Sequence, residues 1–402
     1  MLVQATLMMN ALIISDIHID NEYLASGQRK NFCRANNPWE LSSASAADFP
    51  RGQFGCDLPL AAWEDIAKQF DYDSVDAVFL LGDVPGHGLK GSSFNQTFSQ
   101  FAMAIENIPR SIPILPVVGN NELDEYYMPV DGPNPQLERL TDLMQKSGVL
   151  HLNEIQINTF KTGGFYSTIV NNTPVLVLNT VIYTDEFWRK QKSEPTDDPR
   201  DQFKFIEEFL KTNRNYVVLQ HICFGINPYS AIGSNNSNLQ MQSIYHQKLF
   251  EMFKDNKPAS VLCGHTHKDG FKILDGIPVF NAPGLSPNSY NNPAFRYMNI
   301  TDGAVIDYVQ FMSSLNQANA NNVSKIEFDY RFSDYYGMSP SAANLEALAE
   351  QMITDEKMYA KYIENDDIFY NNDSQQYVCA METPTSQEYT DCMEIWGKMK
   401  VE

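Results

Sequence analysis

Five short segments of this 402-residue sequence hold most of its metal-binding side chains: "SDIH" (15–18), "GDVPGH" (82–87), "GNNE" (119–122), "QH" (220–221) and "GHTH" (264–267). Of the seven histidines, His18, His87, His221, His265 and His267 fall in these segments, beside Asp16, Asp83, Asn120 and Asn121. One such segment alone says little, because an isolated D-x-H or G-D is commonly a capped turn. Taken in order, they supply carboxylates, an amide and imidazoles with no thiolate. That is the donor set of a borderline-hard divalent ion such as zinc, manganese or iron. A pair of ions needs one anionic ligand that bridges them, and Asp83, at the end of a central apolar run, is the natural candidate. Two cations so held polarise phosphoryl oxygens and generate hydroxide near neutral pH.

The elements that must position these residues are legible as short Val-, Ile- and Leu-rich runs. Strands are expected over "ALIIS" (11–15), "AVFLLG" (77–82), "ILPVVG" (114–119), "VLVLNT" (175–180), "YVVLQH" (216–221), "SVLCG" (260–264) and "IPVFNAP" (277–283). Amphipathic stretches between them, "LAAWEDIAKQF" (60–70), "SFNQTFSQFAMAIENI" (93–108), "QLERLTDLMQKSG" (136–148) and "DQFKFIEEFLKTN" (201–213), read as helices. Alternation of the two is the pattern of a layered α/β sandwich. In open α/β sheets, sites form beyond the carboxyl ends of the strands, so the five segments are expected to converge. The polar stretch "SSLNQANANNVS" (313–324) predicts a boundary, with a catalytic domain over 1–312 and a small, mainly helical C-terminal subdomain over 313–402.

A net charge of −21 argues against a nucleic-acid duplex or an anionic membrane as the main partner. No run reaches the roughly 18 apolar residues of a spanning helix, so no transmembrane segment is expected. The apolar start reads as a first strand, because no Lys or Arg precedes Arg29 and a signal peptide is not evident. The spacings Cys33/Cys56 and Cys379/Cys392 suit local disulfides. Cys223 and Cys263, each two residues from a ligand candidate, are expected to be buried, inert thiols. With the sequons at Asn95, Asn171, Asn235, Asn299, Asn322 and Asn372, the cysteines predict a glycoprotein that is secreted or held in a lysosomal or vacuolar lumen.

The five segments, in this order, resemble the calcineurin-like metallophosphoesterase superfamily. "GQFGCDLPL", "GHTHKDGFKI", "NPAFRYMNITD" (292–302) and "FDYRFSDYYGM" (328–338) resemble its acid sphingomyelinase-like phosphodiesterases. The resemblance implies a four-layer sandwich, two mixed β-sheets flanked by helices, carrying two divalent ions that are usually zinc. It implies that Asp16, His18, Asp83 and His267 hold one ion and that Asp83, Asn120, His221 and His265 hold the other. His87 would lie beside the substrate phosphate, in a hydrolase of small phosphodiesters, nucleotides, phospholipid headgroups or polyphosphate.

Asn121 departs from the resemblance. The family pattern there is typically G-N-H-[DE], whose His is proposed to protonate the leaving oxygen, and an amide cannot transfer a proton at ordinary pH. Three readings follow. His87 takes over as acid; or the substrate carries a good leaving group, as in a phosphoanhydride; or the chain is a catalytically impaired metal-binding surface protein. The second is favoured by the G-N-N-[DE] variant and "GPNPQLERL" (132–140), which resemble the endopolyphosphatase branch. The intact ligand set argues against the third. Glu122 and Asp124 are expected either to orient metal-binding histidines or to begin a turn or helix, His151 and His246 to be structural, and "DEYYMP" (124–129) and "NPYSAIG" (227–233) to be pocket wall or core.

Overall fold

A computed structural model describes residues 8–35, 49–123, 127, 135–228, 239–366 and 374–399. Asp124 and most of the two aromatic stretches expected as pocket wall lie outside the described residues, as do the sequons at Asn235 and Asn372. The strands of the first half are β1 (Met9–Ile14), β2 (Ile19–Asp20), β3 (Leu58–Pro59), β4 (Ala77–Leu80), β5 (Ile114–Pro116), β6 (Tyr166–Val170) and β7 (Thr173–Val177). Those of the second half are β8 (Val217–Leu219), β9 (Ser260–Cys263), β10 (Gly270–Leu274), β11 (Ile277–Asn281), β12 (Ala294–Thr301), β13 (Ala304–Met312) and β14 (Glu327–Arg331).

They form two mixed six-stranded sheets, ordered β14-β13-β12-β1-β4-β5 and β10-β11-β9-β8-β7-β6, with β2 and β3 as a separate short pair. β1, β4 and β5 run parallel, as do β7, β8, β9 and β11, and antiparallel strands complete each sheet. The inner strands read as unbroken apolar runs because both of their faces are covered. Leu12, Ile14, Val78, Phe79, Val218 and Leu219 are all wholly buried. Parallel pairing needs a crossover, and helices Leu60–Ala67, Gly91–Ala104, Gln202–Thr212 and Ser243–Phe253 supply it. All strands of a parallel run point their carboxyl ends the same way, so the loops after β1, β4, β5, β8 and β9 open at one edge of the sandwich.

β14 pairs with β13 and so carries the first sheet across the expected boundary at 312/313. Beyond it the chain is helical. Ala342–Thr354, Glu356–Asp366 and Ser374–Glu382 pack against β10, burying Leu345, Leu348 and Met352, while Ser386–Met399 packs on Ser374–Glu382. Disulfides join Cys33 to Cys56 and Cys379 to Cys392. The expectation of free thiols at Cys223 and Cys263 is corrected: they form a third disulfide. Cys263 ends β9 and Cys223 lies just beyond β8, its hydrogen-bonded neighbour, so residues far apart in sequence end side by side. Among the described residues, no helix is long and apolar enough to cross a membrane.

Candidate metal centre

The ligand candidates sit in left-handed turns at the strand ends. Asp16, His18, Asp83, His265 and His267 all have positive φ, between 45° and 71°. Such a conformation costs of the order of 1–3 kcal/mol in a residue with a side chain and persists where the surroundings impose it, commonly at functional sites. Here the turns interlock. Asp16 and His18 donate backbone N–H groups to the carbonyls of Gly82 and Asp83, and Gly264 donates to His221.

Two clusters result. Asp16, His18 and His267 bring their ligand atoms within 4.8 Å of one another, and so do Asp16, Asp83 and His221. Asp83 Oδ2 lies 3.4 Å from His18 Nε2 and 3.4 Å from His221 Nε2, which places one carboxylate oxygen between the two halves of the centre. Asn120 Oδ1 stands 3.0 Å from His221 Nε2. His265 is held at the mouth, its N–H donating to Asp16 Oδ2 at 2.9 Å and its ring packed edge-on against His221. The structure thus brings all seven predicted ligands to one region.

The donor chemistry fits cations. His18 Nδ1 donates to the Pro85 carbonyl at 3.1 Å and His221 Nδ1 to that of Leu81 at 2.8 Å, because a carbonyl can only accept. In the neutral ring this leaves the Nε2 lone pair facing inward. His18 Nε2 then lies 3.2 Å from His267 Nε2, and His221 Nε2 faces an amide oxygen. Asp16 Oδ1, buried without a hydrogen-bond partner, faces His267 Nε2 at 3.3 Å. Acceptors so close repel unless positive charge lies among them.

Electrostatics tell the same story. Burial disfavours charge on Asp83, yet His221 and His18 outweigh it and hold its carboxyl well below the usual range. Burial likewise opposes charge on His221, but Asp83, Asp16 and Glu122 push it up to about 10. Burial dominates at His265 and His267, which are pulled down to about 4 and about 3.

His87 is brought beside the ligands, its ring stacked on that of His18 at 4.1 Å and 8°. Its Nδ1 donates to Asp57 Oδ1 at 2.8 Å and its backbone N–H to Asp57 Oδ2 at 2.7 Å. Against the cost of burial, Asp57 raises the His87 pKa above its ordinary value. Asn121, at the position of the family's proposed proton donor, is turned onto Asp83. Its side-chain nitrogen donates to Asp83 Oδ2 and its backbone N–H to Asp83 Oδ1, both at 2.7 Å.

Two positioning acids lie outside the seven ligands, and one of them, Glu122, stood open in the sequence between an orienting acid and the start of a turn. Glu122 is wholly buried and accepts from the N–H groups of Asp83, Val84 and Gly119 at 2.6–2.8 Å, so it clamps the turn that carries Asp83. A Cβ at Gly119 would collide with the Asp83 and Glu122 carboxylates, hence the glycine. Burial and the Asp83 charge push Glu122 up to about 7. Asp57 is the second. The signal available for both was a lone acid beside a cysteine or a ligand. His246 is structural as expected, its Nε2 accepting from Gly225 N–H at 3.0 Å, and His151 bonds to the Ile112 and Gly148 carbonyls.

Residues 9–269 match the family model described as calcineurin-like phosphoesterase. A Rattus norvegicus protein named cyclic GMP-AMP phosphodiesterase is 25% identical over 95% of this chain and 91% of its own. Human acid sphingomyelinase-like phosphodiesterase 3b is 23% identical over 96% and 90%. Sphingomyelinase phosphodiesterase C of Dictyostelium discoideum is 24% identical over 85% and 82%. Among solved structures, a purple acid phosphatase from yellow lupin (Lupinus luteus) matches with TM-score 0.44 and 14% identity, over 81% of this chain and 54% of that one.

Proposed function

We propose, from the premise that this chain belongs to the calcineurin-like phosphoesterase family, that it is a metal-dependent hydrolase of a small phosphodiester or phosphoanhydride acting at the centre described above. The observation that carries the reading is Asp83 Oδ2, equidistant at 3.4 Å from His18 Nε2 and His221 Nε2. Asp16, His18, Asp83 and His267 would hold one divalent cation and Asp83, Asn120, His221 and His265 the other. Zinc is the ion the donor set and the resemblance favour. When bound, the pair supplies Lewis acidity toward phosphoryl oxygens and brings the ionisation of water toward neutral pH.

The protein's own groups do the rest. The Pro85 and Leu81 carbonyls fix the tautomers of His18 and His221, and Asn121 and Glu122 fix Asp83 and its turn. Asp57 commits His87 Nδ1 to a donated hydrogen bond, so Nε2 is the atom from which a proton reaches the leaving oxygen. A second reading, that the leaving group is a good one such as a phosphoanhydride oxygen, is favoured by the turning of Asn121 onto Asp83. That contact takes position 121 out of proton transfer. The three disulfides support a secreted or lumenal location, testable by comparing the protein in culture medium and in cells.

The test is product release from sphingomyelin, a nucleoside triphosphate, a CDP-alcohol and long-chain polyphosphate with added zinc, each against matched Asp83→Ala protein. Zinc-dependent release that Asp83→Ala abolishes is expected. Release equal in the variant, or from no substrate, refutes the hydrolase reading. Preference for the anhydrides favours the good-leaving-group reading, and preference for sphingomyelin means that His87 suffices.

A further inference from the structure

Three residues that touch His87 are bonded directly to one disulfide. Cys33 and Cys56 are joined and wholly buried; Phe32 and Arg34 flank the first, and Asp57 follows the second. The Phe32 ring lies parallel to that of His87, with centroids 5.5 Å apart and planes at 9°. Arg34 donates through Nη1 to the His87 backbone carbonyl at 2.7 Å. Asp57 accepts from the His87 backbone N–H and from Nδ1. One covalent bond thus gathers contacts to the ring face, to a ring nitrogen and to both backbone groups of His87. Phe32 and Cys33 hold left-handed backbones, φ 53° and 60°, a conformation that side-chain-bearing residues keep only where their surroundings impose it.

Arg34 ties the two sides of that bond together. Its Nε donates to Asp20 Oδ2 at 2.8 Å, its Nη2 faces Asp57 Oδ2 at 3.6 Å, and its guanidinium lies 5.6 Å from the centre of the Phe32 ring. Asp20 and Asp57 are both buried, and buried carboxylates need a paired cation. A planar guanidinium reaches both of them and the His87 carbonyl at once, as a single ammonium nitrogen cannot. We propose that Arg34 and the Cys33–Cys56 disulfide are positioning groups for His87, which aim its ring at the leaving oxygen. The proposal rests on the hydrolase reading, in which His87 gives up the proton. The Nε2–H bond of the imidazolium breaks as the O–H bond of the departing alcohol forms, and the ring is left neutral with Nδ1–H still on Asp57. The seven predicted metal ligands lie outside the loop between Cys33 and Cys56, so the bond governs proton delivery and not the metals.

The experiment compares the zinc-loaded full chain with two variants, the double substitution Cys33→Ser and Cys56→Ser, and Arg34→Lys. The probes are the ethyl phosphodiesters of p-nitrophenol, phenol and p-methoxyphenol, whose leaving groups need a proton increasingly in that order. In parallel, the Nδ1–H of His87 is read by NMR of protein carrying isotope-labelled histidine, its signal assigned by its loss in His87→Gln. Both variants should lose little kcat on the p-nitrophenyl ester and about tenfold or more on the p-methoxyphenyl ester, a part of what a positioned proton donor contributes. Zinc affinity, read by chelator competition, should not change, and the Nδ1–H signal should fade as the proton exchanges with water. Arg34→Lys keeps both the bond and the charge, so it decides the matter if the serine variant does not fold. Equal losses across the three esters, or ratios that match the parent's in every folded variant, overturn the positioning role. If the parent turns over none of the esters, the hydrolase reading sinks and the signal decides: its loss in the variants leaves the positioning role standing, and its persistence overturns that as well.

Discussion

The side-chain nitrogen of Asn121 lies 2.7 Å from Asp83 Oδ2, the same oxygen that stands 3.4 Å from the Nε2 atoms of His18 and His221. With its backbone N–H on Asp83 Oδ1, this one residue pins both oxygens of the shared carboxylate. Asn121 is therefore a positioning group. Groups that orient a metal ligand typically contribute 10–100-fold in affinity. Asn121→Ala should weaken zinc binding by about that factor, read by chelator competition. Unchanged affinity would mean that the amide acts on substrate instead.

His87 depends on Asp57, which is wholly buried, accepts from its backbone N–H and its Nδ1, and faces Arg34 at 3.6 Å. If His87 delivers the proton to the leaving oxygen, the variant Asp57→Asn should be selective in its damage. Turnover of alkyl phosphodiesters should fall by about 10²-fold, the low end of what a positioned proton donor contributes. A p-nitrophenyl diester, whose leaving group needs no proton, should lose little. The ratio of the two kcat values reads the effect. Equal losses on both substrates would reduce Asp57 to a structural support for its loop.

Much of this centre was readable in the sequence because ligands at strand ends come as short local motifs: "SDIH" follows β1, "GDVPGH" follows β4, "GHTH" follows β9. What resisted reading depends on pairs distant in sequence. Asp57 meets His87 across 30 positions, and Glu122 meets the Asp83 N–H across 39. Cys223 and Cys263 looked like two buried thiols because each lies at or just after its own apolar run, and only the adjacency of β8 and β9 makes them a bond. The polar stretch at 313–324 reads as a linker, yet it contains the helix Leu315–Asn321 and is followed by an edge strand of the first sheet.

That third disulfide closes a loop of 40 residues between the strands that deliver His221 and His265. The chain-entropy relation gives a loop of this length about 4 kcal/mol of stabilisation. Replacing both cysteines by serine should lower the unfolding free energy by up to about that amount, measured by denaturant titration. Because the strands remain hydrogen-bonded neighbours, the fold should survive and zinc affinity should fall less than in Asp83→Ala. A double variant as stable as the parent would show that the unfolded chain gains no constraint from this bond.

Lys272 is buried on β10, its Nζ donating to the Ile226 carbonyl at 2.6 Å. Burial pulls its pKa from 10.5 down to about 7. Below pH about 7 the folded and unfolded chains both carry the proton, and the full cost of burying the charge is present. Between about 7 and 10.5 the unfolded chain holds a proton that the folded one has released, so stability rises with pH across that window. Lys272→Met keeps an unbranched stem and removes the titration. Relative to the parent, the variant should therefore be more stable at pH 6 than at pH 9.5, a difference that survives whatever the lost hydrogen bond to Ile226 subtracts at both. Denaturant midpoints of the two proteins at the two pH values decide it. A gap that does not change with pH would mean that Lys272 keeps its charge in the folded protein, shared with the Phe224 and Ile226 carbonyls that it already faces.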